Sequence, residues 1–123
     1  MSFKQLINEL KKNKNVIAAF QFGSHGTSRQ TPFSDIDICL FTKDTTKKTI
    51  LELSSYGTDL IDISLFDTLP MYIKPEVFKG KPLFVKDKFL IAEKFAKAQR
   101  AYIDSKKYEE AHWKALRKRL INR

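Results

Sequence analysis

Three aspartates and a glycine-serine turn carry the chemistry that this sequence offers. Asp35 and Asp37 are separated by one residue at the head of the apolar run that ends at Phe41. Side chains alternate between the faces of a strand, so both carboxylates would project from one face while Ile36 and Ile38 pack on the other. Two like charges so placed repel each other, and a hard divalent cation removes that cost. Mg²⁺ characteristically takes one or two carboxylates together with substrate phosphate oxygens. An isolated Asp-x-Asp is more often a solvated strand face, and the pair alone does not decide the matter. Upstream, Gly23-Ser24 follows a run of strand formers, with Gly26 close behind. A missing Cβ lets backbone approach a ligand, and amides that open a short helix attract phosphate. Alone, such a pair more often only reverses the chain.

The third acid is Asp62, inside Leu60-Ile61-Asp62-Ile63-Ser64-Leu65-Phe66. A carboxylate flanked by apolar residues needs a reason to be there, because burying it unpaired is costly. If its strand lies beside the Asp35–Asp37 strand, at the usual spacing of about 5 Å, three carboxylates converge on one or two metal ions. Asp59 is the rival candidate, but it lies nearer Gly57, where a turn or cap role suits it better.

The elements that must position these residues are legible as patterns. Phe3, Leu6, Ile7 and Leu10 recur at helical spacing after Ser2, which predicts a capped amphipathic helix over 2–13. Val16 to Phe22 reads as a central strand covered on both faces, and Ile36 to Phe41 as a second strand. Thr46 to Tyr56 reads as a helix ended by Gly57, and Asp59 to Phe66 as a third strand. Leu69 to Lys79 predicts a short helix interrupted or opened at Pro75 and closed by Gly80, with an edge strand over Pro82 to Val85. From Asp87 to Ile121 the composition is helical throughout, as one helix or two, with Asp104-Ser105 as the expected break. The order of elements implies an α/β (α+β) layer: a small mixed sheet with helices packed on it and a C-terminal helical segment.

At 123 residues the chain reads as a single domain over 1–123. Its formal charge is +9, which points to an anionic partner. That excess is uneven: residues 1–85 hold 11 basic and 9 acidic side chains, whereas residues 86–123 hold 12 and 5. Positive charge is therefore a property of the C-terminal extension of the domain, not of the acidic segment. No apolar stretch approaches the roughly 18 residues that a membrane span needs, so no membrane association is expected. A lone Cys39 in an apolar run reads as a buried, inert thiol, and with no signal-peptide pattern a cytoplasmic location is expected. His25 in the loop could touch phosphate or base but is more often simply solvated. His112 and Trp113 suit packing or partner contact. For Trp113 an interface anchor and a core role weigh about equally. Lys114, Arg117, Lys118, Arg119 and Arg123 form an acid-free basic end. No aromatic-interleaved or zinc pattern supports dedicated nucleic-acid binding.

Gly23-Ser24, ten intervening residues and then Asp35-x-Asp37 resembles the signature of the minimal nucleotidyltransferases (MNT), small members of the DNA polymerase β-like superfamily. Arg29-Gln30-Thr31-Pro32 and Ser34-Asp35-Ile36-Asp37 are similar to the family's loop and strand. Ile61-Asp62-Ile63 falls where the family places its third acid. Lys79-Gly80-Lys81-Pro82-Leu83-Phe84 resembles its glycine turn into a final strand, and Tyr102-Ile103-Asp104 its C-terminal helical element. Many relatives carry Ala-Arg-Gly where this chain has Gly26-Thr27-Ser28, and Arg29 supplies positive charge one or two positions later.

The resemblance implies a polymerase β-like nucleotidyltransferase fold and Mg²⁺-dependent transfer of AMP from ATP to a hydroxyl. It implies Gly23, Ser24, Arg29 and Ser34 on the phosphates, and Asp35, Asp37 and Asp62 as catalytic and metal-holding acids. Asp62 is left either as a ligand of a second ion or as the group that takes the acceptor's proton. So short a chain leaves little room for a substrate-gripping domain. The family often pairs with a helical HEPN-domain toxin, as the antitoxin of a toxin-antitoxin module that adenylylates a tyrosine of that toxin. A homo- or hetero-oligomer fits this. The alternatives are an antitoxin that masks its HEPN partner without catalysis and, ranking lower, transfer to a small aminoglycoside-like compound.

Overall fold

The computed structural model describes residues 2–22, 36–58 and 60–121. Helix α1 (Phe3–Lys12) begins where the sequence reading places it, because Ser2 and Gln5 cap it reciprocally. The Gln5 amide donates to the Ser2 hydroxyl at 3.2 Å and the Ser2 amide to the Gln5 side-chain oxygen at 2.8 Å, satisfying two amides that the first turn leaves open. Strands β1 (Val16–Phe22) and β2 (Ile36–Thr42) pair antiparallel. Helix α2 (Lys47–Ser54) starts at a Thr46 cap and leads to β3 (Ile61–Leu65). A single 3-10 turn (Phe66–Thr68) follows, then helix α3 (Lys74–Phe78) with Pro75 in its first turn, strand β4 (Lys81–Val85) and helix α4 (Lys88–Ile121).

The sheet is mixed, in the order β3-β2-β1-β4. β1 runs against both β2 and β4, and β3 runs parallel to β2. The starts of β2, β3 and β4 therefore share one edge of the sheet with the end of β1. Alternation along the strands divides the core into two layers. Leu6 and Leu10 of α1 and Leu53 of α2 pack with Ile38, Leu40, Ile63 and Leu65 on one face. Phe20, Cys39, Phe41 and Phe66 pack with Val77 of α3 and Ile91 and Ala98 of α4 on the other. The second layer is a chain of rings: Phe41 stacks on Phe66 at 4.4 Å between centroids, and Phe78 meets Phe95 edge-on at 4.9 Å.

Helix α4 corrects the expected break at Asp104-Ser105, since it runs without interruption for 34 residues, about 51 Å at 1.5 Å per residue. Aspartate and serine inside a helix cost only a few tenths of a kcal/mol each relative to alanine. The Lys, Glu and Ala residues that follow them over 106–111 outweigh that preference. Among the described residues, only the first half of the helix has a layer to pack on. Ile91 and Ala98 are buried, and Lys94 bonds Asp67 at 2.8 Å. Beyond Tyr102 the helix stands clear, so Trp113, 57% exposed, is no core residue. The face that carries Ile91, Phe95, Ala98 and Tyr102 turns polar at Ser105, Lys106 and Glu109 and is apolar again at Trp113, Leu116 and Leu120.

Gly80 sets how β4 joins the sheet. A Cβ there would collide with the Gln21 carbonyl oxygen and lie 3.0 Å from the Phe22 Cα. The offending atoms are backbone of a central strand, so they cannot move aside without breaking its pairing. Gly80→Ala is expected to lower unfolding stability by about 2 kcal/mol or more, the usual scale of overpacking. Urea denaturation followed by circular dichroism would check it, and an unchanged midpoint would refute the close approach.

Candidate active site

The sheet register decides which of the expected acids meet. Asp37, second residue of β2, is paired directly with Asp62, second residue of β3. Directly paired residues point to the same face, and neighbouring strands lie about 4.8 Å apart, so the two carboxylates are adjacent on the face that carries the phenylalanines. On the opposite face Ile36, Ile38 and Leu40 are matched with Ile61, Ile63 and Leu65. Across β1, Asp37 is opposite Phe22. A row of Phe22, Asp37 and Asp62 thus crosses three strands at the shared edge of the sheet.

Burial differs along that row. Asp37 is half-buried, whereas Asp62 is exposed on the edge strand. This corrects the sequence-based reason for singling out Asp62. Its apolar neighbours Ile61 and Ile63 point away from it into the α1–α2 layer, so no carboxylate is buried among them. Asp62 matters by its register partner instead. Gly23, Ser24, His25, Arg29, Ser34, Asp35 and the rival Asp59 lie outside the described residues. Chain connectivity still places Gly23 directly after Phe22 and Asp35 directly before Ile36.

Among the described residues no cluster of three or more histidine, cysteine, aspartate or glutamate side chains is placed to hold a metal ion. Two adjacent carboxylates on one face nevertheless suit Mg²⁺, which prefers few protein ligands and completes its shell with water and phosphate. The donor set is hard oxygen, not thiolate or imidazole. Cys39, two residues beyond Asp37 on the same face, is fully buried. Burial first, and the nearby Asp67 charge second, push its thiol far above the ordinary range, which keeps it protonated and inert.

Beside the row opens a cavity of about 800 Å³, lined by Gln21, Phe22, Ile73, Glu76, Lys79, Gly80 and Lys81. Sequence reading recognised only the glycine turn here and did not count these residues toward a site. No local pattern marks them. The pairing of Lys81 with Gln21 is what brings the turn beside the end of β1. Among the described residues no helix is long and apolar enough to cross a membrane.

A small mixed sheet, with paired acids starting two parallel strands beside the end of an antiparallel one, is the architecture of the polymerase β-like nucleotidyltransferases. The chain belongs to that family: the profile described as polymerase beta, nucleotidyltransferase, matches residues 4–89. A relative from Methanocaldococcus jannaschii, named as a candidate protein adenylyltransferase, is 31% identical over 109 residues, covering 88% of each chain. Among solved structures, a chain of a toxin-antitoxin complex crystallised with AMP-PNP is similar, with a TM-score of 0.69 at 19% identity. The likeness covers 94% of this chain and 98% of that one. A chain of the complex between a tri-AMPylated Shewanella oneidensis HEPN toxin and an MNT antitoxin gives 0.65 at 17%, covering 92% and 97%. Likeness at such identities speaks for the fold, and it extends along α4 as well as the sheet.

The inertness of Cys39 separates this site from thiol chemistry. In the native protein, iodoacetamide is expected to leave Cys39 unmodified over hours at pH 8 while alkylating it within minutes in denaturant. Mass spectrometry of the intact chain would read this, and rapid native labelling would contradict the burial.

Proposed function

We propose that this protein is a Mg²⁺-dependent adenylyltransferase of the cytoplasm that moves AMP from ATP to a hydroxyl of a partner protein. The acceptor is a tyrosine of a HEPN-type helical protein encoded beside it. The observation that carries the reading is the in-register pairing of Asp37 with Asp62 in a chain of the nucleotidyltransferase family. The relative named for protein adenylylation and the fold likeness to chains from toxin-antitoxin complexes support the acceptor class.

In this reading Asp35 and Asp37 would hold Mg²⁺, with Asp62, the register partner of Asp37, as a further oxygen donor. When bound, the ion would neutralise charge on the triphosphate and polarise the α-phosphorus. Gly23 and Ser24 give backbone and hydroxyl donors to the phosphates, and Arg29 and Ser34 serve as further phosphate contacts. Asp62 accepts the acceptor hydroxyl's proton as its oxygen bonds to the α-phosphorus. The bond from that phosphorus to the bridging oxygen breaks, and its electron pair leaves with pyrophosphate. The exposure of Asp62 on an edge strand suits this role, since a hydroxyl carried on a macromolecule must reach it.

The free half of α4 supports a protein partner. Tyr108, Trp113, Leu120 and Ile121 are exposed there, at 57% or more, among basic residues. A tryptophan on such a face suits an interface anchor. The same surface would serve an antitoxin that acts by masking alone, and the two readings part on the acids.

With labelled ATP, Mg²⁺ and the purified HEPN-type partner, Asp37→Asn and Asp62→Asn are each expected to lower labelling by roughly 100-fold or more, with unchanged circular dichroism. Labelling at the wild-type rate in both would exclude the mechanism, and full rescue of cells by Asp37→Asn would favour masking. The double variant Trp113→Ala/Leu116→Ala is expected to weaken the complex by at least about tenfold, a hot-spot-sized loss. Calorimetry would measure it, with helix content as the control.

A further inference from the structure

The turn that opens β4 carries two exposed lysines and seats its glycine against the end of β1. Gly80 sits on the backbone of Gln21 and Phe22 so closely that no side chain fits between them. Lys81 pairs with Gln21, itself the partner of Ile38, so it opens β4 on the α1–α2 face and meets the cavity at the rim of the sheet, while Lys79 precedes the glycine on the α3 side. Both lysines, with Phe22, Ile73 and Glu76, line the cavity of about 800 Å³, a volume within the range that holds small-molecule ligands. Phe22 is also the β1 partner of Asp37. The cavity therefore begins one strand away from the acids, on the β1–β4 side, while Asp62 lies on the opposite, β3 side.

In-line displacement puts the attacking and leaving oxygens on opposite sides of the α-phosphorus. With the acceptor approaching from Asp62 on the outer edge, the departing pyrophosphate lies toward β1 and β4. We propose that Lys79 and Lys81 bind the β- and γ-phosphates of the nucleoside triphosphate in this cavity and hold the pyrophosphate as it leaves. The inference rests on the nucleotidyl-transfer reading and adds to it a phosphate contact outside the glycine-serine segment. The ammonium groups neutralise the charge that arrives on the bridging oxygen when its bond to the α-phosphorus breaks, and no further reactant is required.

Among the described residues that line the cavity, one carboxylate opposes an anion. Glu76 bonds Lys79 at 3.1 Å, but the two side chains are 57% and 70% exposed. A pair so open to solvent is weak, and a multiply charged phosphate competes with it effectively. Phe22 and Ile73 add an apolar part to the lining, which suits the less polar part of the nucleotide and not a phosphate.

The test compares wild type with Lys79→Gln/Lys81→Gln, titrating ATP, inorganic pyrophosphate and AMP by calorimetry at fixed salt. Lys47→Gln/Lys48→Gln on α2 serves as an equal loss of charge elsewhere. The expected result is a loss of about tenfold or more in affinity for ATP and pyrophosphate, with AMP unchanged and the α2 control like wild type. Recovery of most of the affinity in Lys79→Arg/Lys81→Arg would support a charge contact over a packing one. Unchanged ATP and pyrophosphate binding, in a wild-type protein that does transfer AMP, would overturn the assignment and leave the transfer function standing. Pyrophosphate binding that depends on the two lysines, in a protein that labels no partner, would support the site and overturn the transfer. An equal fall for AMP, or an equal fall in the α2 control, would also overturn the assignment.

Discussion

Apolar burial on one side of the sheet holds two like charges together on the other. Ile36, Ile38 and Leu40 of β2 are matched one to one with Ile61, Ile63 and Leu65 of β3 beneath α1 and α2. Because side chains repeat every two residues, a slip of one position would turn the isoleucines out to water and drive carboxylates into that layer. The register is thus set by the residues that do no chemistry. Asp37 and Asp62 come to stand side by side as a consequence, and their repulsion is small against the cost of the alternative because Asp62 is open to solvent.

β1 turns this pair into a site. It is the one strand that runs against the others, so its end arrives at the edge where β2, β3 and β4 begin. Phe22 is placed against Asp37, and the chain leaves from there into Gly23-Ser24. The close seat of Gly80 on Gln21 and Phe22 brings β4 to that edge as well. Four chain segments far apart in sequence meet at one rim for reasons of strand direction and backbone contact.

α4 has a double character with a single cause. Its apolar residues fall in two groups on one face, and the sheet and α3 cover only the first, from Ile91 to Ala98. The second, around Trp113 and Leu120, faces solvent in a segment dense in lysine and arginine. Two copies of so basic a helix would repel each other, whereas an acidic protein surface would be drawn to it. The charge that points to an anionic partner is concentrated in residues 86–123, which α4 spans almost entirely.

Taken alone, the amino-acid sequence determined the elements and the kind of chemistry. The strand limits at Val16 and Phe22, the Ser2 and Thr46 caps and the opening of α3 by Pro75 follow from local pattern and local hydrogen bonding, which need no tertiary partner. The identities of Asp35, Asp37 and Asp62 followed from spacing and family resemblance. Continuity of α4 was open because the preferences of Asp104 and Ser105 are weak and their outcome rests on the whole helix. Only the tertiary structure decided that Asp62 is exposed, that it pairs with Asp37, that Trp113 is outside the core and that the Lys79–Lys81 turn lies at the same rim. The physical reason is common to all four: strand order, register and the reach of a layer are set by apolar contacts between distant segments, and local periodicity carries no information about them.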